Sequence, residues 1–380
     1  MKLRHVGPSG DHVTYSVFYK QLLEYGLNEF NADVLPAGDV VAPVGAYSTQ
    51  TVEGKLVAAM TPLLQNVLSG GMPNLIMSNT EEIKWITAGG DEANNQKCDL
   101  VLLLDGLQVP HDPTGSPEVK TYRREVEPQF TYKFGAPLYQ LRAFISGIIE
   151  YKVKGLDATA KGELASYLKH LSADDDPNTY VGLLCDREKY AVTSCSHGHV
   201  ADFLLGNWSD PGSVIILKKQ FARKNKWLQL LVDLCEKLRV CLCPEPGKSA
   251  FLGRGGYGVV FRVKSLVSGN VFALKAVLYS QNATPSSIIK KILPTEYLLL
   301  LDLCDECCVS VVKGGLTTVM DNRGDELGAG YLMEDVGQQI AVTDCFDGHS
   351  LSALGSAVFM ALQDLHERGH THGDARIANI

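Results

Sequence analysis

A glycine-rich stretch followed by a lysine is the segment of this sequence whose residue types and spacing carry the clearest chemistry. Gly253, Gly255 and Gly258 are spaced as GxGxxG, and Val260 follows among apolar residues that alternate as they do in a strand. Glycines let the backbone turn tightly and bring its amide groups against phosphate oxygens, where a Cβ would intrude. Lys275 lies on the next apolar run, 17 residues after Gly258, at a place where its ammonium could pair with phosphates. The pattern predicts a phosphate-binding hairpin followed by a strand that bears a lysine.

An acidic residue follows at a distance that suits a partner for this lysine. Glu296 lies 21 residues after Lys275, within a predicted helix over 293–303. A glutamate on such a helix could hold the lysine against the α and β phosphates of a nucleotide. Pro294 either interrupts this helix or occupies its first turn, and Glu306 is the weaker alternative partner.

The last residues of the chain carry a third group of polar side chains. His372-Gly373-Asp374 is followed by Asn379, five residues after the aspartate. At this spacing Asp374 would orient a substrate hydroxyl or accept its proton, and Asn379 would bind Mg²⁺. Arg376, two residues after Asp374, could contact the γ-phosphate.

Together these motifs resemble the protein-kinase-like superfamily over residues 251–380, which would be the small lobe and the start of the large lobe. The resemblance implies ATP and Mg²⁺ as ligands and a protein substrate as one candidate acceptor. It also implies a hinge at Glu334 and Val336, after a predicted strand over 330–333, whose backbone would meet an adenine.

Two departures from that family concern phosphate transfer. Gly373 replaces the arginine of the common His-Arg-Asp, which implies control without a phosphorylated activation loop and leaves the acceptor open. The metal-binding Asp-Phe-Gly would come about 15 to 20 residues after Asn379, beyond residue 380. We therefore expect ATP binding with doubtful phosphate transfer, in a chain truncated either naturally or in its gene model.

A separate set of residues in the first half predicts a different chemistry. Asp99 precedes the apolar run 100–104, and Glu150-x-Lys152 lies on a predicted strand over 145–153. Strand alternation puts Glu150 and Lys152 on one face, so a carboxylate and an ammonium converge. With Asp99 from the adjacent strand, Glu150 could hold Mg²⁺ through oxygen ligands. Lys152 would then orient the attacking water or help to deprotonate it, while the metal offsets phosphodiester charge.

This arrangement resembles the PD-(D/E)xK nuclease superfamily over about residues 48–196. The resemblance implies a further glutamate on the first helix, for which Glu53 is the candidate and Glu81 or Glu82 are alternatives. Glu163 stands where the family often has glutamine, and Cys98 stands where it commonly has proline.

The order of the two predicted domains resembles that of Crinkler-type effectors, without their usual N-terminal translocation region. The resemblance implies DNA as a partner and DNA cleavage in a nucleus, with the kinase-like domain regulating it. The alternative is a catalytically silent scaffold that binds ATP or DNA.

The elements that must position these residues follow from apolar periodicity. Predicted helices cover 11–25, 51–68, 159–171, 221–238 and 351–368, with Asp11 and Asp157 as N-caps. Predicted strands cover 74–77, 83–88, 100–104, 145–153, 180–185, 190–195, 309–312 and 330–333, and a proline-rich loop covers 105–140. The fold class is therefore α/β and α+β multidomain, with a restriction-endonuclease-like α/β domain before the kinase-like part. The predicted divisions are an N-terminal helical segment at 1–47, the nuclease-like domain at 48–215, a helical linker at 216–247 and the kinase-like domain at 248–380.

Composition bounds the classes of protein to which the chain can belong. The 380 residues are 45% hydrophobic and 21% charged, and the net charge of −8 argues against a generally basic nucleic-acid coat. Without an apolar run near the roughly 18 residues of a membrane span, or an apolar core behind Met1–Pro8, we expect an intracellular protein, nuclear or cytoplasmic. The ten cysteines are expected to be buried reduced thiols. Zinc binding at Cys241, Cys243, Cys304, Cys307 and Cys308 is the weaker alternative, because their spacing is irregular.

Overall fold

A computed structural model gives the fold, and mixed α/β structure is present on both sides of its main division. It describes residues 4–6, 12–32, 39–42, 53–69, 75–80, 86, 96–107, 142–172, 178–222, 226–245, 249–255, 258–279, 286–302, 315–334 and 348–369. Unit 1 comprises Met1–Asp233, Pro244–Phe251 and Ser280–Ala283, and unit 2 comprises Leu234–Cys243, Leu252–Tyr279 and Thr284–Ile380. The expectation of a multidomain protein with mixed helices and strands is confirmed at this level.

Unit 1 is built on a mixed sheet that contains both parallel and antiparallel strand pairs. Its strands are β3 (Glu29–Asn31), β4 (Leu75–Asn79), β5 (Leu100–Leu104), β6 (Ile145–Tyr151), β7 (Thr179–Cys185), β8 (Lys189–Ser196), β9 (His199–Val200) and β10 (Phe203–Asn207). The order is β3-β10-β8-β7-β6-β5-β4, and β9 pairs with β8. The β6–β7 and β3–β10 pairs are parallel, and the other pairs of this sheet are antiparallel.

The central strands of this sheet bring the predicted acids together. Every residue of β5 and β6 is buried, which explains why both segments are nearly continuous apolar runs. In the antiparallel β5–β6 pair, Leu100 lies opposite Ile149. Asp99 immediately precedes β5, and Glu150 follows Ile149 in β6. The two residues therefore lie next to each other at the same end of this strand pair.

Helices pack around the sheet of unit 1. They are α1 (Tyr15–Glu24), α2 (Glu53–Ser69), α3 (Ala158–Leu171) and α4 (Ser213–Phe221), and α5 (Lys226–Lys237) begins in unit 1 and passes into unit 2 at Leu234. The predicted cap of α3 is confirmed, because the Ala160 amide donates to Asp157 Oδ1 at 2.9 Å. Helix α1 lies close against α3 at Gly162, where an added Cβ would lie 2.1 Å from the carbonyl oxygen of Tyr15.

The predicted start of the first helix is wrong. Strands β1 (Arg4–Val6) and β2 (His12–Thr14) form an antiparallel pair, and β2 occupies residues expected to be helical. Thr14 is the N-cap in place of Asp11, since its side chain accepts from the Val17 amide. Gly26, at φ +98°, follows the helix as expected.

The predicted helix over 221–238 is also only partly correct. Helix α5 covers 226–237, but Phe221 ends the separate helix α4, which the sequence pattern did not indicate. Gly212, at φ +84°, turns the chain into α4 and has no side chain with which to signal a cap. Of the predicted strand over 83–88 only Ile86 is described, and the predicted strand over 309–312 lies outside the described residues.

Unit 2 contains an antiparallel sheet against which helix α6 (Ser286–Asp302) packs. Its strands are β11 (Val240–Leu242), β12 (Phe251–Arg254), β13 (Val259–Ser265), β14 (Val271–Leu278), β15 (Thr317–Met320) and β16 (Glu326–Met333). The order is β11-β13-β14-β16-β15, and β12 also pairs with β13. Helix α6 packs through Ile289, Leu293 and Tyr297 against the β14 and β16 side chains.

Helix α6 begins earlier than the sequence pattern predicted. Pro294 lies inside the helix and not in its first turn, because the helix starts at Ser286. Helix α7 (Gly348–Glu367) matches the predicted helix over 351–368 closely. Phe359 and Met360 on α7 are 67% and 66% exposed. Among the described helices, none is long and apolar enough to cross a membrane.

Candidate functional site

Unit 1 brings the predicted acids and lysine into direct contact in what we call the acid–lysine cluster: Asp99, Glu150, Lys152 and Glu163. Lys152 Nζ lies 2.5 Å from Glu150 Oε1 and 2.8 Å from Glu163 Oε2. The Asp99 amide donates to Glu150 Oε2 at 3.3 Å, and the Tyr151 amide donates to Asp99 Oδ2 at 2.7 Å. Side chains from the mouth of β5, the end of β6 and helix α3 therefore meet at one place.

The cluster is almost fully enclosed by protein. Asp99, Glu150 and Glu163 are buried, at 7%, 4% and 5% exposure. The Lys152 side chain is 22% exposed, so it is the most accessible member. The Lys152 amide donates to the Cys185 carbonyl oxygen at 2.8 Å, which continues the β6–β7 pairing and fixes the start of the loop after β6.

Three carboxylates and one ammonium leave this cluster with an excess of negative charge. Burial, and then the charge of Asp99, raise the pKa of Glu150 well above its usual range despite the nearby Lys152. Burial alone would lower the pKa of Lys152, but the carboxylates of Glu150 and Glu163 outweigh it and raise that pKa above its usual range. Lys152 is therefore a charged hydrogen-bond donor at neutral pH.

Two tyrosines and a glutamine that the sequence analysis did not identify complete the surroundings of the cluster. The Tyr167 hydroxyl donates to Glu163 Oε1 at 2.8 Å, and Gln96 Nε2 donates to the Tyr15 hydroxyl at 3.0 Å. Burial and then the charge of Glu163 raise the pKa of Tyr15. The four-residue spacing of Glu163 and Tyr167 on one helix was a usable signal. Nothing in the sequence links Tyr15 to residues more than 80 positions away.

The other predicted member of this site lies apart from these contacts. Glu53 is the first residue of α2 and is exposed. In the described parts of the chain, no hydrogen bond or ion pair joins it to the cluster. Its alternatives, Glu81 and Glu82, lie outside the described residues.

The donor chemistry of the cluster suits Mg²⁺ held by two protein carboxylates. Within the described residues there is no group of three or more His, Cys, Asp or Glu side chains that could hold a metal ion. Mg²⁺ commonly takes only one or two carboxylates, however, and fills its remaining positions with waters and substrate phosphate. Asp99 and Glu150 offer such oxygens, and the excess negative charge around them favours a cation.

In unit 2, the glycine hairpin is closed by a backbone hydrogen bond and has open space beside it. The Gly255 amide donates to the Gly258 carbonyl oxygen at 2.8 Å, between β12 and β13. A Cβ on Gly258 would lie 2.6 Å from the Ala276 carbonyl oxygen, so only glycine fits there. A Cβ on Gly253 would meet nothing within 4 Å.

The predicted lysine and glutamate of unit 2 form an ion pair. Lys275 Nζ contacts Glu296 Oε1, and the Tyr331 hydroxyl donates to the same oxygen at 2.8 Å. Val260 and Tyr331 both lie opposite Lys275 on the neighbouring strands. Because directly opposed residues of antiparallel strands share a face, these three side chains form one row across the sheet.

Of the remaining residues predicted for unit 2, most lie outside the described residues. Glu334 follows β16 and is exposed, whereas Val336, Asp374, Arg376 and Asn379 lie outside the described residues. Glu306 lies outside them as well.

The cysteine clusters are described only in part. Cys241 and Cys243 are half-buried free thiols, and Cys304, Cys307 and Cys308 lie outside the described ranges. Of the other cysteines, Cys98, Cys185 and Cys195 are buried thiols.

No protein-family model matches the sequence, and no curated protein matches it. Function must therefore be inferred from the residues of the two sites.

Proposed function

We propose that unit 2 binds ATP, with the glycine hairpin and Lys275 holding its phosphates. The observation that carries the proposal is the ion pair between Lys275 and Glu296, which joins residues 21 positions apart beside the hairpin. Glu296 would fix the ammonium of Lys275, and the free space at Gly253 would let backbone amides approach a phosphate.

The topology of unit 2 supports the resemblance to a kinase small lobe. The five strands from β12 to β16 stand in the order β12-β13-β14-β16-β15, and α6 joins β14 to β15. In this proposal Val260 packs against the base, and the backbone near Glu334 and Val336 meets the adenine edge. Asp374, Arg376 and Asn379 stay as predicted residues for Mg²⁺ binding and phosphate transfer, with a protein substrate as a candidate acceptor.

Isothermal titration of the full chain with ATP in the presence of Mg²⁺ tests the proposal. Lys275→Ala should weaken ATP binding at least about tenfold, because a charged contact to phosphate is lost. Lys290→Ala is the matched control, since Lys290 is an exposed lysine of α6 that pairs with Glu326 at 2.6 Å. Absence of saturable binding by the unmodified chain, or equal affinity of the Lys275→Ala variant, would contradict the proposal.

We also propose that unit 1 hydrolyses phosphodiester bonds in DNA with Mg²⁺. The convergence of Asp99, Glu150 and Lys152 carries this second proposal. Asp99 and Glu150 would hold the metal, which when bound would offset phosphate charge and lower the pKa of a water. Lys152 would orient the attacking water or a phosphate oxygen as a charged donor, and Glu163 would hold Lys152 in place.

Nicking of supercoiled plasmid by the full chain, with and without Mg²⁺, tests this activity. Glu150→Ala and Lys152→Ala should each lower the Mg²⁺-dependent rate by at least about a hundredfold, as expected for groups at the reacting centre. Lys154→Ala, an exposed lysine in the same loop, is the control that should keep the rate.

Equal nicking by all variants would reveal a contaminating nuclease and contradict the proposal. ATP binding without any Mg²⁺-dependent nicking would favour the alternative function, a scaffold that binds ATP or DNA. With both activities present, the similarity to Crinkler-type effectors would imply action on DNA in a nucleus.

A further inference from the structure

A tyrosine of unit 2 shares the carboxylate oxygen that holds the proposed nucleotide lysine. The Tyr331 hydroxyl donates to Glu296 Oε1 at 2.8 Å, and Lys275 Nζ contacts that same oxygen. No motif in the sequence pointed to Tyr331, which lies 35 residues from Glu296.

The position of the hydroxyl is fixed by its surroundings. Tyr331 is directly opposite Lys275 in the β14–β16 register and is fully buried. Its ring lies 5.4 Å from the ring of Tyr297, the residue after Glu296, within the core between sheet and helix α6. The hydroxyl therefore has little freedom to leave the carboxylate.

A second donor changes what happens when Lys275 turns towards a phosphate. A carboxylate oxygen accepts more than one hydrogen bond, so Glu296 can keep the Tyr331 bond while it shares or releases the ammonium. A half-buried carboxylate that lost its only donor would be costly to leave unsatisfied. Burial and then the charge of Glu296 raise the pKa of Tyr331, so the hydroxyl stays protonated and able to donate.

We propose that Tyr331 is a positioning residue that holds Glu296, and through it Lys275, in the orientation needed to meet the phosphates of a nucleotide. The proposal rests on the proposed ATP binding by unit 2. Tyr331 would act on phosphate recognition alone and would leave recognition of the base unchanged.

Tyr331→Phe removes only the hydroxyl and keeps the buried ring. Affinities for ATP and for adenosine, measured on the full chain, should separate: ATP binding should weaken about three- to tenfold, the equivalent of one typical hydrogen bond, with adenosine unchanged. Tyr279→Phe is the matched control, because Tyr279 is a buried tyrosine of the same core without a bond to Glu296.

The restraint that Tyr331 places on Lys275 through Glu296 can also be measured without nucleotide. Site-resolved labelling of lysines with an amine reagent should show Lys275 reacting about threefold or more faster in Tyr331→Phe. Labelling of Lys290 should be unchanged in Tyr331→Phe, and Tyr279→Phe should leave the rate at Lys275 unchanged.

The outcomes separate this proposal from the proposed function. If the unmodified chain fails to bind ATP, the proposed function is wrong. If Lys275 is labelled at the same rate in Tyr331→Phe as in the unmodified chain, the positioning role is wrong as well. Equal losses for ATP and adenosine would show a merely structural role and overturn the proposal. If Tyr331→Phe does not fold, 3-fluorotyrosine at position 331 provides a second measurement. Its ¹⁹F resonance should shift when Glu296 is replaced by glutamine, and an unchanged resonance would overturn the proposal.

Discussion

Glu150 is held in a position that opposes its own ionisation. Its carboxylate is 4% exposed and faces the charge of Asp99, while its nearest cation, Lys152, is shared with Glu163. Groups arranged for chemistry are often placed at the expense of stability. This gives a stability test that does not depend on finding a substrate.

Glu150→Gln should stabilise unit 1 at alkaline pH by about 1 to 2 kcal/mol. The raised pKa of Glu150 means that the folded state binds this proton more tightly than the unfolded state. The free energy of unfolding therefore falls as the pH rises above the ordinary value of 4.5 through the folded-state pKa. Because glutamine does not ionise, Glu150→Gln should remove this pH-dependent loss of stability. The variant should have the higher free energy of unfolding at pH 8, and the difference from the unmodified chain should vanish below about pH 4.

Urea unfolding followed by tryptophan fluorescence measures this difference, because Trp208 and Trp227 are buried in unit 1. Glu24→Gln, an exposed glutamate at the end of α1, serves as the control and should show no such pH dependence. An advantage of Glu150→Gln that grows towards acid pH would contradict the account.

At the scale of single residues, spacing in the sequence predicted the site residues whose positions follow from strand geometry. Glu150 and Lys152 converge because they flank one residue at the end of a strand, and Asp99 reaches them because neighbouring strands pair. Tyr15 and Tyr331 could not be predicted in this way. Their contacts depend on how α1 packs and on the β14–β16 register, neither of which sequence spacing encodes.

At the scale of elements, helix α1 packs against helix α3, which carries Glu163 of the acid–lysine cluster. Tyr15 lies at this contact between the two helices. Gly162 on α3 lies against the backbone of α1, so the two helices touch without an intervening side chain. Glu163, the next residue, points into the cluster. Close packing at this point therefore sets the position of both polar groups.

Gly162→Ala should destabilise unit 1 by about 1 to 3 kcal/mol, because the new Cβ would meet the Tyr15 carbonyl oxygen at 2.1 Å and force the helices apart. Gly54→Ala on α2 is the matched control, since a Cβ there would meet nothing within 4 Å. That control should be neutral or stabilising by up to about 1 kcal/mol, as alanine favours helix. Urea unfolding by tryptophan fluorescence compares them, and equal stability of the two variants would contradict the close contact.

Elements were predictable where a local signal marked their ends. Strand β5 matches the predicted 100–104 run, and the Asp157 cap was correctly read from a polar residue before a periodic helix. Helix α4 was missed because it is short and begins after Gly212 without a capping side chain. The start of α1 was wrong because β2 owes its strand structure to pairing with β1.

Across the whole molecule, the same arrangement of side chains occurs in both units. A lysine is held by a glutamate, and a tyrosine hydroxyl donates to that glutamate: Lys152, Glu163 and Tyr167 in unit 1, and Lys275, Glu296 and Tyr331 in unit 2. In each arrangement the glutamate receives both the ammonium and the tyrosine hydroxyl. Proposed phosphate recognition in both units fits this shared chemistry.

Hydrogen exchange of the full chain in the presence of Mg²⁺, with and without ATP, tests the central claim most directly. Bound nucleotide should slow the exchange of backbone amides in peptides that cover 251–279 and 286–302, where the hairpin, Lys275 and Glu296 lie. Peptides covering 145–171, which carry Glu150, Lys152 and Glu163, should exchange unchanged. Unaltered exchange throughout 251–279 at saturating ATP, or protection confined to 145–171, would contradict the claim that unit 2 is the nucleotide site.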